Sequence, residues 1–184
     1  NYMAGFKFRK RLSGAAGDAT ILELRGANSV VFQVGDVIRV NNAGNASLFV
    51  AGDLVLGVVT GVVTSKGINK TPDSGTLDTY TMTSDNVTVA QDKVQYTPAL
   101  QDYLFYNDSD DTLAQTNLFQ YFPLNDENDV NGSSSSDSTL DTVRLIAIDP
   151  DGDADASKGL WQFVESIWAQ NCMGVVDTGG IEAA

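Results

Sequence analysis

The longest uncharged apolar run in this chain spans Leu54 to Thr64, inside a wider stretch at residues 34–64, VGDVIRVNNAGNASLFVAGDLVLGVVTGVVT. Short apolar segments joined by Gly- and Asn-rich turns are typical of strands. With a period of two, one face holds Leu54, Leu56, Val58 and Val62, and the other holds Val55, Gly57, Val59, Gly61 and Val63. Because both faces are apolar and one alternates Val with Gly, the pattern predicts a strand buried on both sides. Other backbone should approach it closely on the Gly face.

The remainder of the chain favours many short strands separated by turn clusters such as Asn41 to Asn45. The predicted strands cover residues 19–25, 29–34, 37–40, 77–84, 87–90, 93–96, 103–106, 118–122 and 143–148. We therefore expect a mainly all-β fold, a small barrel or sandwich of short antiparallel strands. An extended N-terminal arm and one short C-terminal helix complete the expected fold.

The C-terminal stretch at residues 160–171 fits two structures. Leu160, Phe163, Val164, Ile167 and Trp168 fall at helical spacing, with Gly174 as the stop signal. The same stretch also alternates as a strand, with Trp161, Phe163 and Ile167 on one face. We favour the short helix, and the strand remains the alternative.

The domain organisation follows from composition. Residues 1–18 are expected to be an N-terminal arm, residues 19–176 a single β-rich domain, and residues 177–184 a loose tail. Residues 125–142, NDENDVNGSSSSDSTLDT, contain almost nothing that could be buried. This segment is therefore expected to be a flexible acidic, Ser-rich loop.

The net charge of −13 is unevenly placed. Residues 1–11 hold four basic residues and no acid, so the rest of the chain carries seven basic against 24 acidic residues, a net charge of −17. Such a body should repel nucleic acid. The basic arm is either a solvated tail or a segment that docks on an acidic partner surface, with its aromatic residues as anchors between the charges. The residues of that candidate site are Tyr2, Phe6, Lys7, Phe8, Arg9, Lys10 and Arg11.

The residue inventory argues against catalysis. The chain has no His, which removes the commonest general base and the triads that depend on an imidazole. Cys172 is alone, so an internal disulfide is excluded. The fingerprints of phosphate-binding loops and dinucleotide-binding folds are also absent from the sequence. We expect no enzyme, no catalytic residue and no cofactor.

Two patterns leave room for ligand binding. Asp149, Asp151, Asp153 and Asp155 alternate, and such carboxylates can turn toward one hard cation such as calcium. Both possible registers of an EF-hand loop fail here, so we expect an acidic solvated turn and no metal site. Aromatic side chains able to stack on sugars are Tyr103, Phe105, Tyr106, Phe119, Tyr121 and Phe122, although ordinary β core is the simpler interpretation.

The apolar runs are too short for a membrane span, and the N-terminus lacks the apolar region of a signal peptide. We therefore expect a soluble protein made without export.

The segments GDVIRV and AGDLVLGVV carry a family resemblance. The pattern is similar to that of small capsid decoration (cement) proteins of tailed bacteriophages, which have an early β-segment of the form apolar-x-aGD-x-x-x-GV-apolar. The matching residues are Gly35 to Ile38 and Ala51-Gly52-Asp53 through Gly57-Val58-Val59. The acidic insertions and the C-terminal segment with Trp161 and Trp168 lie outside this pattern.

The resemblance implies a structural virion protein with a compact β fold. It would bind the major capsid protein on the outer surface of an assembled shell, as a homo-oligomer and most simply a trimer, after synthesis in the host cytoplasm. Neither nucleic acid nor membrane would be a partner. The alternative from the residues alone is a cell-surface or carbohydrate-binding β module, with calcium at the Asp149–Asp155 turn.

Overall fold

A computed structural model describes residues 5–14, 18–64, 69–70, 79–82, 92–134, 142–152 and 154–169. These ranges contain no α-helix, and the predicted all-β class is confirmed. The strands are β1 (Lys7–Arg11), β2 (Leu22–Arg25), β3 (Val31–Gln33), β4 (Val37–Val40), β5 (Ala46–Leu48), β6 (Gly57–Val63), β7 (Asn69–Lys70), β8 (Thr79–Thr81), β9 (Lys93–Pro98), β10 (Tyr103–Asp108), β11 (Tyr121–Phe122), β12 (Val143–Ile148) and β13 (Lys158–Phe163). A short 3-10 helix, Gln115–Asn117, precedes β11.

The strands form a sandwich with a small ribbon added. The first sheet has the order β1-β10-β13-β12-β11. The second sheet has the order β2-β9-β6-β4-β5, and β7 also pairs with β6. Strands β3 and β8 make the separate two-stranded ribbon. Neighbouring strands are antiparallel throughout the three sheets.

Two cores lie on the two faces of the second sheet. The main core joins this sheet, through residues such as Val37 and Val58, to the aromatic inner face of the first sheet. The smaller second core contains Phe32 and Met82 from the ribbon together with Ile38, Leu56, Val59, Val62, Val94 and Tyr96. The second sheet is therefore covered on both sides, which is why its central strand carries no charge.

Strand β6 is buried on both faces, as its sequence pattern predicts. A Cβ on Gly57 would clash with the Thr97 backbone carbonyl and would lie 2.7 Å from the Tyr96 ring, so the close approach of other backbone expected on the Gly face is also present. The assignment of both faces was wrong: Val55 and Val58 pack in the main core, whereas Leu56, Val59 and Val62 pack in the second core. The strand begins only at Gly57 and bulges between Val59 and Gly61, and each irregularity shifts the alternation by one residue.

The short C-terminal helix is corrected to a strand that ends at Phe163, followed by bends and turns over residues 164–169 with one isolated bridge between Ser166 and Val55. Residues 158–163 form β13, which lies between β10 and β12 and pairs Trp161 with both Phe105 and Leu145. The Trp161 indole N–H also donates to the Asn107 carbonyl at 3.0 Å. Two flanking strands satisfy the backbone of this segment on both sides, and this tertiary pairing decides between two periods that fit equally well locally. Residues 170 and 171 lie outside the described ranges.

The other predicted strands vary in extent. Residues 143–148 form β12 with the predicted bounds, whereas the strand expected at residues 118–122 is reduced to Tyr121–Phe122. The predicted strand at residues 77–84 is described only as β8 and its neighbour Met82, and residues 87–90 lie outside the described ranges.

The acidic segment after Pro123 is only partly as expected. Val130 is fully buried in the main core, and its carbonyl accepts the Asp110 N–H at 3.0 Å. The Asn131 N–H donates to the Pro123 carbonyl at 3.0 Å. The expectation of a loop with little to bury is therefore corrected for residues 125–134, which are held by these contacts. Residues 135–141, Cys172 and the tail at 177–184 lie outside the described ranges.

Candidate functional site

The basic N-terminal segment is an edge strand of the first sheet. Lys7 pairs with Tyr106 and Arg11 with Tyr103, and within the described residues β10 is the one strand neighbour of β1. The register shifts between Phe8 and Lys10, so the strand bulges at Arg9. The separate arm expected at residues 1–18 is therefore corrected for residues 6–11, which belong to the sandwich. Tyr2 lies outside the described ranges.

Two aromatic side chains attach this strand to the main core. Phe6 is 2% exposed, and its ring centroid lies 5.0 Å from that of Phe163. The half-buried Phe8 ring lies 4.8 Å from the Tyr103 ring. The expectation that Phe6 and Phe8 are anchors for a partner is corrected, because these rings fill the protein's own core. The arrangement fixes the backbone from which the cations project.

The start of the strand is fixed by a backbone contact. The Phe6 N–H donates to the Gly35 carbonyl at 2.9 Å, next to the turn that leads into β4. Gly5 has a φ of +86°, and a Cβ there would lie 2.8 Å from the Gly35 backbone. A residue other than Gly would therefore be strained both by its dihedral angle and by this contact.

The four cations of β1 have different surroundings. Lys7 and Lys10 are exposed, and neither forms an ion pair with an acidic residue of the described ranges. An Arg9 guanidinium nitrogen lies 2.7 Å from an Asp151 carboxylate oxygen, with both side chains largely exposed. Arg11 lies over the Tyr103 ring at 5.1 Å and reaches Asp102 at 3.7 Å. Exposed ion pairs are weak, so Arg9 can exchange Asp151 for another carboxylate.

Tyr103, on the neighbouring strand β10, forms hydrogen bonds that hold the end of β1 and Thr20 together. Its hydroxyl donates to the Thr20 side-chain oxygen at 3.0 Å and accepts the Thr20 backbone N–H at 3.1 Å. An Arg11 guanidinium nitrogen also donates to the Tyr103 hydroxyl at 3.3 Å. Tyr103 is buried, as the simpler interpretation of these aromatic residues as β core predicts, but its contacts with Thr20 and Arg11 join residues too distant in the chain for a local pattern to show.

The described carboxylates of the acidic turn, Asp149, Asp151 and Asp155, each accept a hydrogen bond or form an ion pair within the protein. Asp149 accepts the Ala154 N–H at 2.9 Å, and Asp155 accepts the Ser157 hydroxyl at 2.6 Å. Asp151 pairs with Arg9, as described above, and Asp153 lies outside the described ranges. Within the part of the chain that the structure describes, no group of three or more acidic, Cys or His side chains could hold a metal ion.

The six aromatic candidates divide into core and surface. Tyr103, Phe105, Tyr106 and Phe122 are buried. Phe119 and Tyr121 are 64% and 40% exposed at the opposite edge of the first sheet, beside β12. Phe119 has a φ of +65°, an uncommon conformation for a bulky side chain, and its N–H donates to the Leu145 carbonyl at 2.8 Å. These two side chains are the members of the set that a ligand can reach.

One buried carboxyl was not singled out by sequence analysis. Asp36 is 3% exposed, and its Oδ2 accepts the Gln33 N–H at 2.7 Å. The pKa of Asp36 is raised from 3.8 to about 7, chiefly because the carboxyl is buried and also because Glu127 and Asp126 lie nearby. The Gly35-Asp36 motif marked the turn, but the residues that enclose this carboxyl lie far along the chain.

Comparison of the chain with protein-family models, with curated proteins and with solved structures finds no match. Among the described residues, no helix has the length and apolar character to span a membrane. The fold, the charge distribution and the exposed side chains are therefore the basis for assigning a function.

Proposed function

We propose that the protein is a structural virion protein that binds the outside of an assembled phage capsid and stabilises it, as a decoration or cement protein does. One observation carries the proposal: a cationic strand is fixed at the margin of a rigid β sandwich whose remaining residues are strongly acidic. The partner that fits this edge is an acidic surface, and the proposed one is the major capsid protein.

The edge suits docking because its cations are presented by a fixed backbone. Lys7 and Lys10 are exposed and free of ion pairs within the described ranges, so a partner carboxylate need not displace an existing one. Binding through a preorganised strand also avoids the entropy cost of ordering a loose tail. Opposite charges across the interface raise the association rate and fix the orientation of the partners.

A decoration protein gains from repetition. A modest contact made many times over a closed shell stabilises the lattice even when each site binds weakly. Closed symmetry of the shell favours a symmetric oligomer of the bound protein, and a trimer would place three basic edges around one axis. The acidic body would then keep neighbouring bound copies apart.

Co-sedimentation with emptied capsids of the phage that encodes the protein tests this proposal. The expected result is saturation at a copy number that fits the icosahedral lattice, with weak binding to unassembled capsid subunits. A failure to bind shells at any salt concentration would contradict the proposal.

Single charge reversals identify the binding edge. Lys7→Glu and Lys10→Glu should each weaken binding to shells by about tenfold, which corresponds to about 1.4 kcal/mol. Lys93→Glu is the control for the change in net charge, because Lys93 is an exposed cation on β9 of the other sheet, where its ammonium lies 3.7 Å from a Glu23 carboxylate oxygen. Deleting residues 1–11 is a poor test, since it removes β1 and the Phe6 side chain from the core. Equal losses in all three variants would show a nonspecific charge effect.

The alternative, a carbohydrate-binding module, is favoured by one observation, the exposed Phe119 and Tyr121 at the far edge of the first sheet. Aromatic faces of this kind can stack on sugar rings. Binding of a glycan panel that Phe119→Ala abolishes, together with a melting temperature raised by calcium, would support this alternative. Capsid binding unaffected by Phe119→Ala would argue against it.

A further inference from the structure

The most unusual group outside the basic edge is the buried Asp36. It lies in the turn between β3 and β4, and its backbone is held at both ends. The Asp36 N–H donates to the Gln33 carbonyl at 3.2 Å, and its carbonyl accepts the Val59 N–H at 2.9 Å. Because the backbone is fixed in this way, the carboxyl cannot turn to solvent unless its cover moves.

That cover is the segment at residues 126–128. The Val37 N–H, at the start of β4, donates to the Glu127 carbonyl at 2.5 Å. The Asn107 side-chain amide donates to the Asn128 carbonyl at 2.9 Å, and the Asn128 side chain hydrogen-bonds to Asp36 itself. Residues 126–128 therefore lie over the carboxyl and are held by a small number of hydrogen bonds.

The charges around Asp36 all have the same sign. Glu127 and Asp126, both in the covering segment, are the charged groups that act on it, and both oppose its ionisation. On the other side, Gly35 is packed by Gly5 and bonded to Phe6 and Val59, none of which can titrate. Two hydrogen bonds, from Gln33 and Asn128, favour the ionised carboxylate but do not offset its burial.

We propose that Asp36 and residues 126–128 form a pH-sensitive latch. The segment stays docked on β4 while the Asp36 carboxyl is protonated, and it is released when that carboxyl ionises beside two further carboxylates. The latch is independent of the capsid proposal, because it involves neither the basic residues of β1 nor a partner.

The direction of the effect follows from the pKa of Asp36, which is raised from 3.8 to about 7 in the folded protein. The folded state holds this proton more tightly than the unfolded chain does. The contribution to stability is therefore fully present below about pH 4 and is lost as the pH rises through about 7. Release is limited to the segment itself, because Val130 remains anchored in the main core.

A second acid in the same region requires a control. Burial also raises the pKa of Asp129, which shares the Asn125 side-chain amide with Asp110. Asp129→Asn therefore separates its titration from that of Asp36. Asp111 is exposed and lies outside residues 126–128, so Asp111→Asn is the control for the loss of one acidic charge.

The test is amide hydrogen exchange at Val37, corrected for intrinsic rates, between pH 5.5 and 8.5, with ¹³C titration of the Asp36 carboxyl in the same samples. In the wild type, the Val37 protection factor should fall about tenfold between pH 5.5 and about pH 7 and should level off at higher pH, where the carboxyl is ionised in both states. Asp36→Asn should remove this fall, whereas Asp129→Asn and Asp111→Asn should retain it.

A second variant keeps the test decisive if Asp36→Asn does not fold. Glu127→Gln leaves the buried carboxyl in place and removes one opposing charge, so the Asp36 midpoint and the loss of Val37 protection should both move to lower pH. An Asp36 carboxyl that titrates near 4 in the wild type would overturn the proposal. A Val37 protection factor that does not change with pH would also overturn it.

Discussion

The two edges of the first sheet rest on the same kind of core but present opposite surfaces. Phe6, directly before β1, packs beside Phe163, and Phe122 of β11 at the other edge packs against Trp161 at 5.5 Å. Above these anchors, β1 displays lysines and arginines, whereas the β11 edge displays Phe119 and Tyr121. Burial therefore sets how firmly an edge is held, whereas its few outward side chains set what it can contact.

Charge also affects how the edges behave toward other sheets. Cations and a bulge on an edge strand discourage indiscriminate pairing with other strands. The bulge at Arg9 and the charged side chains of β1 therefore favour contact with an acidic surface through side chains. The β11 edge is very short, which limits backbone pairing in a different way.

The largest expected effect is on the anchors. Phe6→Ala should lower the free energy of unfolding by about 3–5 kcal/mol, because it leaves a cavity in the main core, and Phe122→Ala should cost a similar amount. Chemical denaturation measures both. If Phe6→Ala lowered the free energy of unfolding by less than about 1 kcal/mol while Phe122→Ala lowered it by the full amount, β1 would be a loose arm. The two edges would then not be held equally firmly by the core.

The next effect concerns the start of β1. Gly5→Ala should lower the free energy of unfolding by about 1–3 kcal/mol, because it combines a positive φ with contact against Gly35. Gly14→Ala is the matched control, since Gly14 has a φ of +72° with open space around it. Its cost should be about 1 kcal/mol, from the dihedral angle alone. Thermal melts of both variants separate the two causes, and equal losses would show that the contact with Gly35 has no effect.

A smaller effect, of opposite sign, is expected at the β11 edge. Phe119→Gly should raise the free energy of unfolding by about 0.5–1 kcal/mol, because Gly adopts the positive φ without strain. Urea titration against the wild type measures the gain. A loss above about 1 kcal/mol would show that the exposed ring contributes to the fold.

The smallest effect is expected for the exposed ion pair of β1. Arg9→Gln should change the free energy of unfolding by less than about 0.5 kcal/mol, because both partners are well solvated. Its effect on capsid binding should be clearly larger than its effect on stability. A variant that loses stability and binding together would indicate that Arg9 supports the strand and does not contact the partner.

The sequence predicts the strands correctly where the two-residue period of the apolar residues matches the faces that are buried in the structure. Residues 143–148 form β12 as predicted, and the double burial of β6 follows from its uncharged Val and Gly. The prediction of a C-terminal helix was wrong because the run that begins at Leu160 fits both the helical and the strand period. Only pairing with the neighbouring strands β10 and β12 selects the strand. The bulge in β6 has no local signal, so the faces of Val58 and Val62 could not be assigned.

Only part of the candidate site could be predicted from the sequence. The cluster of cations and aromatic rings at residues 6–11 was evident, but not that Phe6 and Phe8 would pack on Phe163 and Tyr103, which are distant in the chain. The burial of Asp36 beneath Glu127 is also a long-range contact. Local patterns predict the chemistry that a segment carries, whereas tertiary contacts decide which of its side chains remain available.

The most direct test is a cryo-electron microscopy map of emptied capsids saturated with the protein, at a resolution that allows the sandwich to be placed. We expect the β1 edge, with Lys7 and Lys10, to face acidic side chains of the capsid, and Phe119 and Tyr121 to point away from the shell. A bound protein that contacts the capsid through the β11 edge would contradict it, and so would shells that remain bare at saturating concentration.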